Sequence, residues 1–543
     1  MITGCSDVLD KNDLSAISEQ DVWNDEIYAT AFVDKLHRDN IPGWDIFVSS
    51  HSDEAGNDGS FSVGELSRDG ESYWPYSALR NCANFIDNIG NGSLPDNVKG
   101  NLKAQVLTMR ALMYWRMVKR YGGIPMIMHP QTLDDDLLVT RNKTSECIEL
   151  IIRDLDEAIE TESFPMTWSG NNAGRLSKAA AMALKGRILL YWASPQFNPN
   201  NDAGRWTEAY NANKTARDQL KAAGYDLYES FENIWFDEMN KEVVLPRRYE
   251  YPNMSHIWDA ASRPSKGGLG HGGYNQPAWE LVKSFPMITG ESVDESSTYD
   301  DVYFWKNRDP RLAKTIAWNG CVWELYGETG AKLWTDFEEG TPSATHMYCR
   351  KAINPNYTVD QASINHTNTD WIEIRYAEVL MNFAEAAAET GKSDEAYEVL
   401  KQIRRRAGIE AGSNGMYGLK ANMNAAQMID AIMLERKIEF AFEQKRYWDL
   451  RRRRLLQTLN GTVRHGRLPV LKEGVTREDV RNADMNTEYH IYFEDQLDVV
   501  DKIKTMNYPE NYYFYAINNG HLIRNSNLQQ TKGWDNGTFD PLQ

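Results

Sequence analysis

Apolar side chains recur every three or four positions through much of the first 225 residues, the repeat of helices that each bury one face. From about Glu19 to Asp39, the positions Val22, Ile27, Phe32 and Leu36 fit one such helix. The stretch from Pro42 to Gly70 breaks the pattern. Its segment SSHSDEAGNDGSFS is polar, rich in glycine and serine, and reads as an exposed loop with strong turn chemistry. Periodicity returns in WPYSALRNCANFIDNI and in NLKAQVLTMRALMYWRMVKRYGG. There Val106, Met109, Ala111, Met113, Met117 and Val118 keep the spacing until a double glycine stops the helix. Further helices are predicted near 143–162, 175–193 and 204–223.

Between about 225 and 365 the character changes: glycine, proline, asparagine and aromatics dominate, with short apolar pieces and no long helical pattern. This reads as an elaborated insertion on a helical body, and loops held by a rigid scaffold are where binding residues gather. Helices resume at 371–390, 393–408 and 424–456. RYAEVLMNFAEAAAETGKSDEAYEVLKQIRRRAG pairs two of them across a short turn at Gly391–Lys392, with Ala384, Ala388 and Ala396 where helices would cross closely. That is the signature of a tetratricopeptide-type unit, a repeat of about 34 residues. WTEAYNANKTARDQLKAAGYDL reads as a similar half-unit. Such units stack to bury a shared core, so several are expected in a mainly all-α fold. The aromatic tail NYPENYYFYAI is expected to pack back on the body.

Charge narrows the partners. With 59 Lys+Arg against 78 Asp+Glu, the 543-residue chain carries a formal charge of −19, the opposite of what a phosphate backbone attracts. No run approaches the roughly 18 to 20 apolar residues of a membrane-spanning helix. The cysteines Cys5, Cys82, Cys147, Cys321 and Cys349 show no metal-type spacing. Cys82 and Cys147 read as buried small hydrophobes, while Cys321 and Cys349 lie in loop-like sequence and could pair or stay free. No histidine pair falls at i, i+3 or i+4, so neither a metal nor any other cofactor is indicated.

The most charged motif is LERKIEFAFEQKRYWDLRRRR, 434–454. Glu435 and Glu439 share a helix face, and paired carboxylates can serve as general acid and base. Interleaved Arg436, Lys437, Lys445 and Arg446 offer a plainer account, in which these carboxylates are ion-paired within and between helices. The Arg451–Arg454 run reads likewise as a solvated or carboxylate-paired face. No nucleophile elbow, HExxH, P-loop or dinucleotide fingerprint is present, and GGLGHGG at 267–273 lacks the lysine and helix start of a phosphate loop.

Aromatics are abundant, with 17 Trp and 27 Tyr, many in polar surroundings. A sugar ring has apolar C–H faces and a rim of hydroxyls, which Trp or Tyr faces and Asp, Asn or Arg side chains can match. Any single Trp can equally be a helix-packing residue.

Several segments together resemble the SusD/RagB family, the outer-membrane nutrient-binding lipoproteins of Bacteroidetes. MRALMYWRMVKRYGGIPMI (109–127) is similar to the family helix that ends in a Tyr-Gly-x-x-Pro turn, and RLSKAAAMALKGRILLYWASP (175–195) to its Lys-Ala-rich helix. NRDPRL (307–312), IRYAEVLMNFAEA (374–386) and ERKIEFAFEQKRYWDLRR (435–452) resemble three further family segments. The resemblance implies about four tetratricopeptide-like helix pairs and an irregular part that carries the ligand surface. It implies no catalysis, and it makes the charged helix part of the scaffold. It also implies capture of an oligosaccharide or polysaccharide at the cell surface for a SusC-like, TonB-dependent outer-membrane transporter. The expected organisation is a tether over 1–18, helical segments over 19–225 and 366–543, and a ligand-binding insertion over 226–365. Ligand contacts are expected from Trp74, Trp279, Tyr303, Trp305 and Trp323, with Asp53 and Asn57 as hydrogen-bonding partners. The alternatives are a helical glycoside hydrolase using paired carboxylates and a tetratricopeptide scaffold that binds peptides.

Within that resemblance, Ile2-Thr3-Gly4-Cys5 looks like the end of a bacterial lipobox, and Cys5 is the expected site of lipidation. Acyl chains there, each buried CH₂ contributing about 0.8 kcal/mol, would hold an otherwise soluble chain on the outer membrane.

Overall fold

The computed structural model describes residues 19–56, 59–264, 273–335, 343–362 and 366–543. Its N-terminal half is built from α1 (Glu19–Asn24), α2 (Glu26–Asn40), α3 (Tyr76–Asn88), α4 (Asp96–Tyr121), α5 (Thr144–Glu160), α6 (Lys178–Ala193) and α7 (Ala203–Ala222). Side-chain caps fix several starts. Asp25 accepts from the amides of Ile27 and Tyr28 at 2.8 and 3.2 Å to open α2, and Ser177 accepts from the Ala180 amide at 3.2 Å to open α6. The double glycine does stop α4. Gly122 takes φ 74°, and a Cβ there would lie 2.5 Å from Pro541 Cβ, so only glycine lets the C-terminal segment approach.

The middle of the chain is irregular, as its composition predicts. It holds the single-turn helices α8 (Trp258–Ser262), α9 (Trp279–Ser284) and α10 (Arg311–Thr315). Short antiparallel pairings join β1 (Ala55–Gly56) to β3 (Gln276–Pro277), β2 (Val243–Arg247) to β6 (Trp371–Arg375), and β4 (Ile316–Ala317) to β5 (Tyr348–Cys349). The helical body resumes with α11 (Tyr376–Glu389), α12 (Ser393–Ala407), α13 (Ala425–Glu439) and α14 (Arg446–Arg452), and a hairpin of β7 (His465–Leu471) and β8 (Phe493–Val499) follows.

Two predicted helices are shorter than their apolar periodicity suggests. The one predicted from 371 starts at Tyr376, because Trp371–Arg375 is buried at every position and pairs with β2. The one predicted over 424–456 breaks after Glu439. Phe442 and Gln444 take φ 61° and 58°, and the break frees the Phe442 amide to donate to Glu54 Oε1 at 2.8 Å.

The helices stack in succession. α4 packs on α5, α5 on α6, α6 on α7, α7 on α11, and α11 on α12 and α13, giving a tetratricopeptide-like repeat body. One core therefore runs through helices from both ends of the chain, from Trp23 to Ile517, and Ala384, Ala388 and Ala396 are buried at the helix crossings. A second core under the insertion centres on Trp235, Trp258, Trp279 and Phe304 and reaches Ile438 and Phe442 of the body. The aromatic tail does pack back: Tyr508, Tyr512, Tyr513 and Tyr515 are buried, and the Tyr512 hydroxyl accepts from the Leu66 amide at 2.7 Å. Cys82, Cys147, Cys321 and Cys349 are all buried and free, so Cys321 and Cys349 do not pair.

The charged helix is an internal ion-pair lattice. Arg311 bonds Asp309, Glu435 and Glu439; Arg375 bonds Glu242, Glu439 and Glu443; and Arg404 bonds Glu435. Arg452 spans Asp449 and Glu385, while Arg453 reaches Glu385 and Glu389. Glu435 and Glu439 are completely buried. Buried against guanidinium groups, neither is open to a substrate.

Candidate functional site

A cleft of about 700 Å³ opens where the segment after α2, the last turns of α4, the insertion and the α13–α14 break meet. The segment IPGWDIF forms one lip. Asp45 Oδ1 accepts from the amides of Phe47 and Val48 at 2.8 and 3.3 Å, a local turn that leaves the Phe47 ring 54% exposed. Tyr274 of the insertion meets Phe47 edge to face at 5.4 Å and 88°. Trp44 anchors this lip: it stacks on Trp258 at 4.4 Å and donates from Nε1 to the Thr369 carbonyl at 2.8 Å. Gln444, in the left-handed break, donates to the Gly43 carbonyl at 3.0 Å and ties the lip to the body.

Much of the remaining lining is polar. Arg116, Lys119 and Arg120 come from α4, and Glu71 comes from the loop before α3. Burial pushes the Glu71 carboxyl up, against the pull of Arg120. Deeper in, Arg187 bonds Glu373 and Glu378, and Lys445 bonds Glu378 at 3.2 Å, so that set of charges is internally matched. Burial raises the carboxyl of Glu373, but Lys445 and Arg187 outweigh it and hold the group at about 2. The cleft thus combines exposed aromatic edges with hydrogen-bonding groups of both polarities, the complement of a polyhydroxylated ring.

Of the sequence-predicted ligand residues that are described, none lines this cleft. Trp279 is 4% exposed, edge-on to Phe304 at 5.0 Å and covered by the Arg467 guanidinium at 4.8 Å. Its place is in the insertion core. Trp323 is likewise buried, although it contributes to the wall of a second cavity of about 430 Å³ with Tyr326, Lys332 and Trp334. Tyr303 is buried and donates to the Thr487 carbonyl at 2.6 Å, which staples the insertion to the C-terminal segment. Trp305 is half-buried, stacked on Trp318 at 5.7 Å and donating to Asn486 Oδ1 at 3.2 Å. Trp74 is half-buried with one face against His521 at 4.9 Å. Asp53 is buried between Arg446 and Lys437 at 2.8 and 2.9 Å and belongs to the ion-pair lattice. Trp279, Tyr303 and Asp53 each keep less than a tenth of their surface exposed. Asn57 and Cys5 lie outside the described residues.

The cleft residues the sequence reading passed over are Trp44, Phe47, Glu71, Lys119, Arg120 and Tyr274. A signal existed for some of them: Arg116, Lys119 and Arg120 stand at i, i+3 and i+4, one face of a helix, and IPGWDIF places two aromatics in an otherwise polar stretch.

A stacked helical body that presents an open, amphipathic cleft is the architecture of a helical-repeat protein. Among such proteins the chain belongs to the SusD family, whose profile matches residues 231–534. A second profile, described as "Starch-binding associating with outer membrane", matches residues 71–190. A SusD-like protein P2 of Formosa agariphila is 24% identical over 414 residues, covering 73% of this chain and 74% of the relative. The crystal structure of a SusD-like protein from Bacteroides fragilis superposes with a TM-score of 0.78 at 24% identity, covering 96% of this chain and all of that one. A second structure from that organism, named a SusD-like carbohydrate binding protein, gives 0.74 at 21% identity, over 94% of this chain and all of that one. No described helix is long and apolar enough to cross a membrane.

Proposed function

We propose that this protein captures an oligosaccharide or polysaccharide at the cell surface, holds it in the cleft between Phe47 and α4, and delivers it unaltered to a SusC-like TonB-dependent transporter. The observation that carries the reading is the cleft itself, whose lining brings the aromatic side chains of Phe47 and Tyr274 together with Glu71 and Lys119. The family descriptions, one of them naming starch binding at the outer membrane, support a glycan as the ligand. The lattice around Glu435 and Glu439 supports binding without hydrolysis, because the paired carboxylates that invite a catalytic reading are consumed as structural partners. A lipid anchor at Cys5 would place the protein on the outer membrane beside its transporter.

The test is calorimetry of the purified protein against a polysaccharide panel, followed by reducing-end analysis of each bound glycan. Saturable binding without new reducing ends is expected. Release of reducing ends that disappeared in Glu439→Gln would replace the reading with hydrolysis, and no binding across the panel would end it.

A further inference from the structure

Most buried cations in this protein are matched by carboxylates, and the buried exceptions Arg141, Arg308 and Arg451 have their guanidinium donors taken up by backbone carbonyls or a hydroxyl. Arg110 pairs with Asp154 at 2.7 Å, Arg436 with Asp449 at 2.8 Å, Lys351 with Glu443 at 2.5 Å and Lys437 with Asp53 at 2.9 Å. The cleft wall departs from that rule. Among the described residues, Arg116, Lys119 and Arg120 have no carboxylate within ion-pair distance. Arg116 donates to the Tyr73 hydroxyl and the Asn40 carbonyl at 3.1 and 3.3 Å. Arg120 donates to the Arg116 carbonyl at 2.9 Å and leaves Nε without a partner. Lys119 places its ammonium 4.0 Å from the Trp448 ring centroid and makes no hydrogen bond among the described residues. Glu373, the carboxylate whose charge Lys119 feels, is already held by Arg187 and by Trp371 Nε1 at 3.1 Å.

The helix dipole does not account for this excess. Cations near a helix C-terminus are favoured by its partial negative charge, but Arg451 already donates to the Lys119 and Arg120 carbonyls that carry that charge. Three further unmatched cations in a half-buried cleft repel one another. Burial and the charge of Arg120 together hold the Lys119 ammonium well below the usual lysine range. An anion arriving between them would relieve both effects.

Resting on the glycan-binding reading, we infer that the cleft takes an acidic glycan, with a uronate carboxylate or sulfate ester bound by Lys119 and Arg120 and a ring hydroxyl donating to Glu71. The neighbouring sugar then lies toward the Phe47 and Tyr274 edges. Charge-assisted hydrogen bonds in a partly dehydrated site are stronger than neutral ones, so the anion dominates the choice of ligand.

The experiment measures binding to polygalacturonate, alginate, chondroitin sulfate and carrageenan beside the neutral amylopectin, xylan, galactan and mannan. Each acidic ligand is also offered after carboxyl reduction or after desulfation. Acidic glycans should bind and neutral ones bind weakly. Carboxyl reduction abolishes binding where the anion is a uronate, and desulfation where it is a sulfate ester. Lys119→Gln should weaken acidic binding by about 10- to 100-fold and flatten its salt dependence, while Lys119→Arg restores most of it. Binding confined to neutral glycans, or acidic binding unchanged in Lys119→Gln with an unaltered melting temperature, overturns the inference and leaves the glycan reading standing. No binding to any member of the panel overturns both.

Discussion

Arg311 Nη1 lies 2.8 Å from Glu439 Oε2, and neither side chain has meaningful contact with solvent. Arg375 and Arg406 reach the other oxygen of the same carboxylate, so Glu439 joins the insertion, β6, α12 and α13 at one point. Removing one member of a buried, hydrogen-bonded set strands the others without a counter-charge. Glu439→Ala is therefore expected to lower stability by about 3–5 kcal/mol, read by chemical denaturation. Glu439→Gln should be milder, since the amide still accepts from one guanidinium. A Glu439→Ala protein as stable as the parent would mean that the lattice does not hold the insertion on the body.

Phe47 and Trp279 give opposite expectations. Phe47 is 54% exposed at the cleft lip, whereas Trp279 is 4% exposed within the insertion core. Phe47→Ala should leave the melting temperature nearly unchanged and raise the Kd for a bound glycan by roughly 3- to 10-fold, the equivalent of about 0.5–1.5 kcal/mol of aromatic contact. Trp279→Ala should destabilise by about 3–5 kcal/mol through the cavity it leaves. The two substitutions need both a binding and a melting measurement. A large stability loss for Phe47→Ala, or a selective binding loss for Trp279→Ala, would reverse the assignment of lip and core.

That contrast shows why the fold was more legible than the site. Helix periodicity and the repeat Ala384–Ala388–Ala396 follow from local chain geometry, so the helical body and its pairing could be read from spacing. The ends of α11 and α13 could not. The β6 register with β2 and the Glu54 contact made at the α13 break depend on residues more than a hundred positions away. The cleft was hidden for the same reason. Trp279, Tyr303 and Trp305 sit beside polar residues in sequence, but their rings pack into apolar clusters built from distant parts of the chain. The cleft is assembled from α4, the 42–48 segment, Tyr274 and α14, and no window of sequence contains it.

Glu54 carries a pH expectation with a definite sign. It is 1% exposed, and burial pushes its carboxyl up to about 8, with the Phe442 amide opposing and the Asp53 charge adding to the rise. The ordinary value for the unfolded chain is 4.5, so between 4.5 and 8 the folded state holds a proton that the unfolded state has released. Stability contributed by this group is complete below 4.5 and declines as pH rises through 8. Glu54→Gln keeps an acceptor for the Phe442 amide but cannot titrate. The stability difference between parent and Glu54→Gln should thus shift steadily against the parent from pH 5 to pH 8, as followed by melting temperature. A flat difference would mean that Glu54 is ionised in the folded protein.

Gly186 makes the α6–α7 crossing possible. A Cβ at that position would stand 2.4 Å from Asn213 Oδ1 and 3.0 Å from its Cγ. Asn213 cannot swing aside cheaply, because it is 1% exposed and its amide donates to the Gly186 and Ala209 carbonyls at 2.9 and 2.8 Å. Gly186→Ala should cost about 1–3 kcal/mol by overpacking, despite the higher helix propensity of alanine. Asn213→Ala alone should cost about 1 kcal/mol for the lost hydrogen bonds. In the double variant the added methyl occupies the space that the Asn213 side chain vacates, so the combined loss should be smaller than the sum of the single losses. Strict additivity would mean that the two helices already part enough to admit a methyl group, and that the close crossing is not what Gly186 provides.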